Sequence, residues 1–234
     1  MKKRVLCVLH QSNSSTGQVG IALSQLGHQV ETICPLAGQR LSRQIDRFDG
    51  LIVFGGPMSA NDDHLYGIRN ELKIIDHWLH KERPFWGICL GAQMVARVLG
   101  SQIKEHPQKL VEIGWYPMNP VGYGKFFFRP LTHVYQWHRE GFEIPSGAMQ
   151  LATGASDGAF SEQAFMVGRH IFATQFHPEM HPRLMNRWLT RAGHMLELEG
   201  AQSFADHRSG LLRYYPKQSR WLRRTLDRWL SSQL

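Results

Sequence analysis

The first hundred residues alternate between short apolar runs and amphipathic stretches, and this alternation constrains the fold more than any other feature. Four apolar runs, at residues 5–9, 29–34, 50–54 and 84–88, have the length and composition of strands. They alternate with stretches that have the helical spacing of apolar residues, at 19–26, 41–48, 67–81 and 89–99. Strands that alternate with helices predict a parallel sheet whose strands are joined by crossover helices.

After Gly100 the pattern changes to short strand candidates separated by Pro, Gly and Asp. These candidates lie at residues 102–105, 124–128, 134–137, 150–153, 164–167 and 170–175, and a helix candidate follows at 182–197. They predict antiparallel additions to the parallel sheet. We therefore predict an α/β domain over residues 1–195, with a mostly parallel central sheet flanked by helices and an antiparallel extension. A C-terminal extension follows over residues 196–234.

The C-terminal extension carries most of the net charge of +8. Residues 201–234 contain seven Lys or Arg and two Asp, so the rest of the chain is only mildly basic and we predict no nucleic-acid partner. Residues 219–234 read as a basic amphipathic helix whose apolar stripe is formed by Trp221, Leu222, Leu226, Trp229 and Leu230. Three alternatives stay open for this stripe. It packs on its own domain or across a homodimer, it docks on a synthetase partner, or it binds an acidic membrane or RNA surface.

The three cysteines, Cys7, Cys34 and Cys89, are too few and too scattered for a disulfide framework or a four-ligand zinc site. No apolar stretch approaches the roughly 18 residues that a membrane span needs. We therefore expect a cytoplasmic protein in a reducing compartment, without membrane association.

Residues 87–91 have the pattern G-x-C-x-G around Cys89, between a predicted strand and a predicted helix. This is the pattern of a nucleophile elbow, because a sharp strand-to-helix turn leaves no room for larger neighbours. The positive end of the helix dipole favours the reactive thiolate, and the N–H of Leu90 would point toward an oxyanion. The alternative is that Cys89 is a small buried hydrophobic residue, which is our interpretation of Cys7 and Cys34.

A thiolate nucleophile needs a general base and acid, and that base needs an orienting carboxylate. The sequence Phe176-His177-Pro178-Glu179 supplies both groups in one turn at the end of an apolar strand candidate. Pro178 disfavours helical backbone at His177, and Glu179 is close enough to accept a hydrogen bond from the imidazole. Pro178 also argues against a metal pair formed by His177 and His181, because that spacing requires a helix.

These motifs resemble those of the class I, triad-type glutamine amidotransferase domains, including the glutaminase domain of GMP synthase and the γ-glutamyl peptidase-like proteins. The resemblance covers about residues 1–195, with residues 84–93 similar to the nucleophile motif, 176–179 to the His/Glu motif and 55–57 to the oxyanion loop. It implies a three-layer, flavodoxin-like fold. It also implies that Cys89 is the nucleophile, His177 the general base and acid, and Glu179 the residue that orients His177.

The resemblance also implies a substrate pocket. The amides of Gly56 and Leu90 would form the oxyanion hole, and the residues that border the substrate would be Gly55, Gln93, Trp137 and His138. Trp137 and Arg139 replace small residues in this border, and Trp86 replaces an aliphatic residue in the nucleophile motif. The bulky Trp137 and Arg139 predict a pocket wall unlike that of members that act on free glutamine.

The implied reaction is hydrolysis of the γ-amide of glutamine through a γ-glutamyl thioester on Cys89, without a metal or other cofactor. It releases glutamate and ammonia, and we expect the ammonia to pass to a partner synthetase, since no synthetase domain follows residue 195. Hydrolysis of γ-glutamyl peptides or γ-glutamyl amines is the alternative reaction. A non-catalytic, glutamine-responsive subunit is disfavoured, because Cys89, His177 and Glu179 are all present.

Overall fold

The computed structural model describes residues 2–39, 41–156 and 158–231. Its α-helices in these ranges are α1 (Gly17–Gln25), α2 (Tyr66–Leu79), α3 (Leu90–Val98), α4 (Gly124–Phe127), α5 (Pro182–Arg191) and α6 (Phe204–Leu230). Its first six β-strands are β1 (Arg4–Val8), β2 (Gln29–Ile33), β3 (Gly50–Val53), β4 (Phe85–Ile88), β5 (Ile103–Glu105) and β6 (Glu112–Pro117). The remaining strands are β7 (Asn119–Pro120), β8 (His133–His138), β9 (Glu140–Phe142), β10 (Met149–Thr153), β11 (Glu162–Val167) and β12 (Ile171–Thr174).

The central sheet of the described chain has the strand order β2-β1-β3-β4-β12-β11-β10-β7. The strands from β2 to β12 in this order are parallel, and β11, β10 and β7 continue the sheet in antiparallel pairing. Two small antiparallel sheets, β5 with β9 and β6 with β8, lie outside it. The predicted parallel sheet with an antiparallel extension is therefore confirmed.

Helices cover both faces of the sheet and complete three layers. One face buries alternate strand residues, such as Val5 and Ile52, against α1 and α6. The opposite face buries their neighbours, such as Leu6 and Leu51, against α2 and α3. The inner strands β1, β3 and β4 are buried on both faces and read as apolar runs, which explains why they were predictable from sequence.

The apolar stripe of the C-terminal helix is part of the chain's own core. All five of its predicted residues are buried. Trp86 of β4 lies beneath them, with its ring centroid 6.1 Å from those of both Trp221 and Trp229. Of the three alternatives for the stripe, the structure therefore selects packing on its own domain, and the surface that partner docking would need is already covered.

Helix α6 begins at Phe204, well before the predicted start at residue 219. Ser203 and Asp206 form a reciprocal capping box at its N-terminus, and Pro216 lies inside the helix. The predicted helix lies entirely after this proline, a residue that usually ends or kinks a helix. Residues 232–234 of the predicted helix lie outside the described residues. No helix in the described part of the chain is both long and apolar enough to cross a membrane.

Residues 124–128, predicted as a strand, form the short helix α4 instead. In a strand Phe126 and Phe128 would share one face. In the structure Phe126 is 81% exposed, whereas Phe127 and Phe128 are buried. The run of three phenylalanines therefore gave a false strand pattern.

Other differences from the prediction concern short elements. The helix predicted at 41–48 is a 3₁₀ turn over Arg43–Arg47, which Ser42 caps by accepting a hydrogen bond from the N–H of Gln44. The helix predicted at 182–197 ends at Arg191, and a separate 3₁₀ turn follows over Gly193–Glu197. Sequence patterns missed β6, β7 and β9, because β7 and β9 are only two and three residues long and β6 contains a glycine and ends in proline.

Candidate active site

Cys89 lies in the sharp turn between β4 and α3. It follows the last residue of β4 directly, and α3 begins at the next residue. Its backbone has a φ of 52°, which residues other than glycine rarely adopt. The Cys89 N–H donates to the carbonyl of Thr174 at 2.8 Å and ties the turn to β12. The thiol therefore lies at the N-terminus of α3 and at the carboxyl edge of the parallel strands.

Gly87 and Gly91 are required by the close approach of backbone around this turn. A Cβ on Gly87 would lie 2.5 Å from the carbonyl oxygen of Gly91. A Cβ on Gly91 would lie 2.1 Å from the carbonyl oxygen of Val53. Both distances are far inside van der Waals contact, so a side chain at either position would force the backbone apart. The two glycines of the G-x-C-x-G pattern thus follow from the geometry of the turn.

His177 and Glu179 follow β12, the strand next to β4. These strands are parallel and Ile88 pairs with Thr174, so the segments that leave them lie side by side. Nδ1 of His177 donates to Oε1 of Glu179 at 2.7 Å, and both side chains are only 4% exposed. Nε2 of His177 is buried and has no hydrogen-bond partner among the described residues. One ring nitrogen is therefore held by the carboxylate, and the other is open to a reacting group.

The electrostatic surroundings of His177 favour its protonated form. Burial lowers the pKa of the imidazole, but the charges of Glu179 and Cys89, together with the hydrogen bond to Glu179, raise it by more. The net effect holds the pKa of His177 above its usual value. The arrangement is suited to a thiolate paired with an imidazolium, with the carboxylate on the far side of the ring.

The loop after β3 brings Gly55 and Gly56 to the same place. A Cβ on Gly55 would lie 2.8 Å from Cε1 of His177 and 3.4 Å from Cβ of Cys89. A Cβ on Gly56 would lie 3.2 Å from Cδ2 of Leu90. Leu90 is the first residue of α3, where backbone N–H groups have no partner within the helix. The structure therefore brings together the residues predicted as nucleophile, base and oxyanion hole.

A cavity of about 340 Å³ opens beside Cys89. The predicted site residues that line it are Gly55, Gly56, Cys89, Gln93, Trp137, His138 and His177. Leu90 and Glu179 are not among its lining residues, and Glu179 contacts the cavity only through His177. The far wall comes from α5 and the turn after it, which sequence reasoning missed, and it includes Arg187, Trp188, Arg191 and Met195.

Two glutamines connect the nucleophile to the pocket wall. Nε2 of Gln93 donates to the carbonyl of Glu140 at 2.8 Å and to Oε1 of Gln175 at 3.4 Å. Nε2 of Gln175 lies 3.8 Å from Sγ of Cys89. Gln175 was given no role from the sequence, although a signal was present. It follows β12 as Cys89 follows β4, so parallel pairing brings the two together.

Two residues at one side of the cavity, Trp137 and His138, are held by contacts with neighbouring groups. The ring of Trp137 meets that of Trp188 edge to face, with centroids 5.5 Å apart. His138 contacts the carbonyl of Glu140 at 3.0 Å and the carboxylate of Glu112 at 3.1 Å, which fixes its ring. Arg139 also lines the cavity.

Trp86, the aromatic residue of the nucleophile motif, packs in the core and is not among the residues that line the cavity. Its ring packs 4.8 Å from that of Phe172 and beneath the stripe of α6. Its Nε1 donates to Oγ1 of Thr174 at 3.2 Å. The reason is the alternation of side chains along β4, which points this residue to the face of the sheet covered by α1 and α6.

The structure gives no support to a metal pair at His177 and His181. His181 has an extended backbone, with a φ of −149°, and caps α5, so the two residues do not share a helical face. In the ranges that the structure describes, no group of three or more His, Cys, Asp or Glu side chains is arranged to hold a metal ion.

The chain is similar in sequence to proteins named as glutamine amidotransferases. A family model described as glutamine amidotransferase class-I matches residues 13–194. The glutamine amidotransferase-like protein YfeJ of Salmonella typhimurium is 30% identical over 186 residues, which cover 75% of each chain. One subunit of the glutamine-hydrolysing GMP synthase of Saccharolobus solfataricus is 30% identical over 165 residues, 66% of this chain and 78% of that protein. The chain spans only about a quarter of the longer GMP synthases that it matches.

Among solved structures, a glutamine amidotransferase from Thermotoga maritima superposes with a TM-score of 0.87 and 28% identity. The match covers 98% of this chain and 99% of that one, so it includes most of α6. This likeness confirms the predicted three-layer, flavodoxin-like architecture.

Proposed function

We propose a reaction for this chain, which belongs to the class I glutamine amidotransferase family. The reaction is hydrolysis of the γ-amide of glutamine to glutamate and ammonia through a thioester on Cys89. The proposal rests on one observation: Cys89, His177 and Glu179 lie together at the carboxyl ends of two adjacent parallel strands. The imidazole is held at Nδ1, and Nε2 remains without a partner among the described residues.

In the first half of the reaction the thiolate of Cys89 attacks the γ-carbonyl carbon, a C–S bond forms, and the carbonyl oxygen becomes an oxyanion. The N–H groups of Gly56 and Leu90 donate to this oxyanion, and such a donor typically lowers the barrier by about 3–4 kcal/mol. The C–N bond then breaks as Nε2 of His177 gives its proton to the leaving nitrogen, which departs as ammonia. A γ-glutamyl thioester remains on Cys89.

In the second half, Nε2 of the neutral His177 takes a proton from water, and the resulting hydroxide attacks the thioester carbon. The C–S bond breaks, the thiolate leaves, and glutamate is released. Glu179 keeps the proton on Nδ1 of His177 through both halves, so that Nε2 is always the nitrogen that exchanges protons with the substrate.

Replacing Glu179 with glutamine is expected to move the alkaline limb of the kcat/KM profile to lower pH. His177 must be protonated to give its proton to the leaving nitrogen, so activity is present below its pKa and lost as pH rises through it. The carboxylate raises this pKa, and its loss lowers the pKa toward the usual value. We also expect kcat to fall about 10- to 100-fold. The measurement is glutamate release between pH 6 and about pH 11.

Glu31→Gln is the matched control, because Glu31 is a surface carboxylate paired with Arg4 and Arg47, away from the cavity. Its alkaline limb should coincide with that of the wild type. An unchanged limb in Glu179→Gln would contradict the proposed role of Glu179.

A second candidate function, hydrolysis of γ-glutamyl peptides, is favoured by the far wall of the cavity. Free glutamine has only an NH₂ group on the leaving side of its scissile bond. The cavity nevertheless continues along the rings of Trp137 and Trp188 to the guanidinium groups of Arg187 and Arg191. These groups are suited to a leaving group that is an amino acid, with apolar atoms against the rings and a carboxylate against the arginines.

The two reactions are separated by measuring glutamate release from L-glutamine and from a set of γ-glutamyl dipeptides, with Cys89→Ala as the blank. Ammonia release from glutamine at a higher kcat/KM than glutamate release from any dipeptide supports the amidotransferase reaction. A preference for dipeptides supports the second candidate, and Trp188→Ala should then raise the KM for dipeptides more than the KM for glutamine.

For the ammonia we propose a synthetase on a separate chain as acceptor. The support is that one relative is named as a separate subunit of a glutamine-hydrolysing GMP synthase. Adding the synthetase should then couple glutamine hydrolysis by this chain to formation of the aminated product of the synthetase. The apolar stripe of α6 is not the docking surface in this proposal, because it is buried in the core.

A further inference from the structure

His10 is a buried histidine at the same edge of the sheet as the candidate active site, and the proposed reaction does not use it. It follows β1 by two residues and is 1% exposed. Its partner Glu71 lies on α2 and is also completely buried. Two ionisable side chains are costly to bury, so their contacts need an explanation.

The contacts of the imidazole assign its protons. Nδ1 of His10 lies 3.2 Å from the carbonyl oxygen of Gly55, which only accepts hydrogen bonds, so Nδ1 carries a proton and donates. Nε2 lies 3.1 and 3.2 Å from the two carboxylate oxygens of Glu71. Burial lowers the pKa of His10, but the Glu71 charge and both hydrogen bonds raise it overall. The raised pKa favours the protonated form of His10, and its ring holds the carbonyl of the loop from one side while Glu71 holds the ring from the other.

Holding the Gly55 carbonyl also orients the next N–H. The C=O of Gly55 and the N–H of Gly56 belong to one planar trans peptide, so they point in opposite directions. His10 lies on one side of this loop, where a Cβ on Gly56 would be 2.6 Å from Cβ of His10. Cys89 and His177 lie beside Gly55, where an added Cβ would be 3.4 Å from Cβ of Cys89 and 2.8 Å from Cε1 of His177. The N–H of Gly56 thus points away from the His10 ring, in a loop that adjoins the nucleophile.

We propose that His10 and Glu71 form a positioning pair that fixes the Gly55–Gly56 peptide with its N–H directed into the oxyanion hole. The inference rests on the proposed function, because it assigns the Gly56 amide as an oxyanion donor. The pair acts through the backbone and touches no substrate. A loop of two glycines has no side chains of its own to fix this peptide, which is why an outside donor is needed.

The test uses two reagents that both require Cys89 but differ in their need for an oxyanion donor. Iodoacetamide alkylates the thiolate with loss of iodide and forms no oxyanion. The aldehyde 5-oxopentanoate, which has the carbon chain of glutamate, adds the thiolate to its carbonyl and forms a thiohemiacetal whose oxygen occupies the oxyanion hole. The aldehyde therefore protects Cys89 from iodoacetamide to the extent that the oxyanion donors stabilise the thiohemiacetal. Mass spectrometry of the Cys89 peptide measures this protection.

In His10→Leu we expect the aldehyde to protect about 10- to 100-fold less well than in the wild type, since a displaced oxyanion donor loses part of its effect. The alkylation rate without aldehyde should stay within about threefold of the wild type, because the reaction at the thiolate needs no oxyanion donor. His10→Asn should retain most of the protection, because its side-chain amide can still donate to the Gly55 carbonyl from near the position of Nδ1.

A second pair of variants covers the case in which His10→Leu does not fold. Glu71→Met removes the carboxylate, so the single proton of a neutral His10 divides between its two nitrogens and protection should weaken several-fold. Glu71→Gln should restore protection, because its amide donates to Nε2 and leaves the His10 proton on Nδ1. His77→Leu is the matched control. His77 pairs with Asp46 from the other end of α2, away from the cavity, and its loss should change neither rate.

Equal protection in the wild type and His10→Leu overturns the proposal, and so does a parallel loss of alkylation and protection, which would mean a general disturbance of Cys89. Absence of aldehyde protection in the wild type also overturns it, because the loop would then supply no oxyanion donor. Glutamate release by the wild type is measured beside these reactions. Its absence contradicts the proposed function, whereas the aldehyde comparison judges the positioning pair independently of turnover.

Discussion

Replacing Cys89 with alanine is expected to lower hydrolysis of the γ-glutamyl amide bond by about 10⁴-fold or more while the chain remains folded. The proposed reaction passes through a C–S bond, and among the described residues Cys89 is the one thiol that lines the cavity beside His177. The residual rate would come from water attack assisted by the oxyanion donors alone. The measurement is glutamate release by the purified variant, beside thermal unfolding of both proteins.

The folded state should tolerate this change. Alanine fills nearly the same volume as cysteine, and both residues face the same backbone strain at a φ of 52°. We therefore expect the free energy of unfolding to change by no more than about 1 kcal/mol. Retained turnover in a folded Cys89→Ala protein would remove the thioester mechanism.

Cys7→Ala is the matched control for this prediction. Cys7 lies in the middle of β1, is completely buried, and faces α1 and α6 rather than the cavity. Burial raises the pKa of its thiol well above the usual range, so it is held as the neutral thiol. Its loss should leave turnover unchanged, which separates removal of the nucleophile from removal of a buried cysteine.

The parts of the site that were predictable from sequence are those fixed by local geometry. Gly87 and Gly91 could be recognised because a tight turn excludes side chains whatever the rest of the fold does. His177 and Glu179 are two residues apart, so their hydrogen bond is nearly a local property of the chain. The inner parallel strands β1, β3 and β4 were visible because burial on both faces leaves an apolar run.

The parts that could not be predicted depend on contacts between distant segments. Gln175 reaches Cys89, 86 residues earlier in the chain, only because β12 pairs with β4. His10 looked like the polar end of a strand, and its partner Glu71 is 61 residues away on a helix whose polar and apolar positions gave no sign of a buried acid. No periodicity in a single segment encodes either pairing.

Removing residues 204–234 is expected to leave a chain that aggregates on expression. Helix α6 supplies five large buried apolar side chains, and burying each is worth about 1.5–3 kcal/mol. Their sum, roughly 10 kcal/mol, is comparable to the whole stability of an ordinary domain. The deletion would also uncover Trp86 and Phe172 on the sheet. The measurement is the distribution of the truncated chain between the soluble and aggregated fractions, and a monomeric, folded truncation would contradict the prediction.

Substitutions of two leucines on α6 distinguish a loss of packing from any other role of the helix. Leu222 is completely buried, whereas Leu212 is 81% exposed on the same helix. Leu222→Ala should lower the free energy of unfolding by about 2–4 kcal/mol, because it leaves a cavity beneath the helix. Leu212→Ala should change it by less than about 0.5 kcal/mol. Both values come from urea unfolding of the full chain. If the two variants were equally stable, the stripe would not be part of the core, and loss of the helix would have to act through a contact with another molecule.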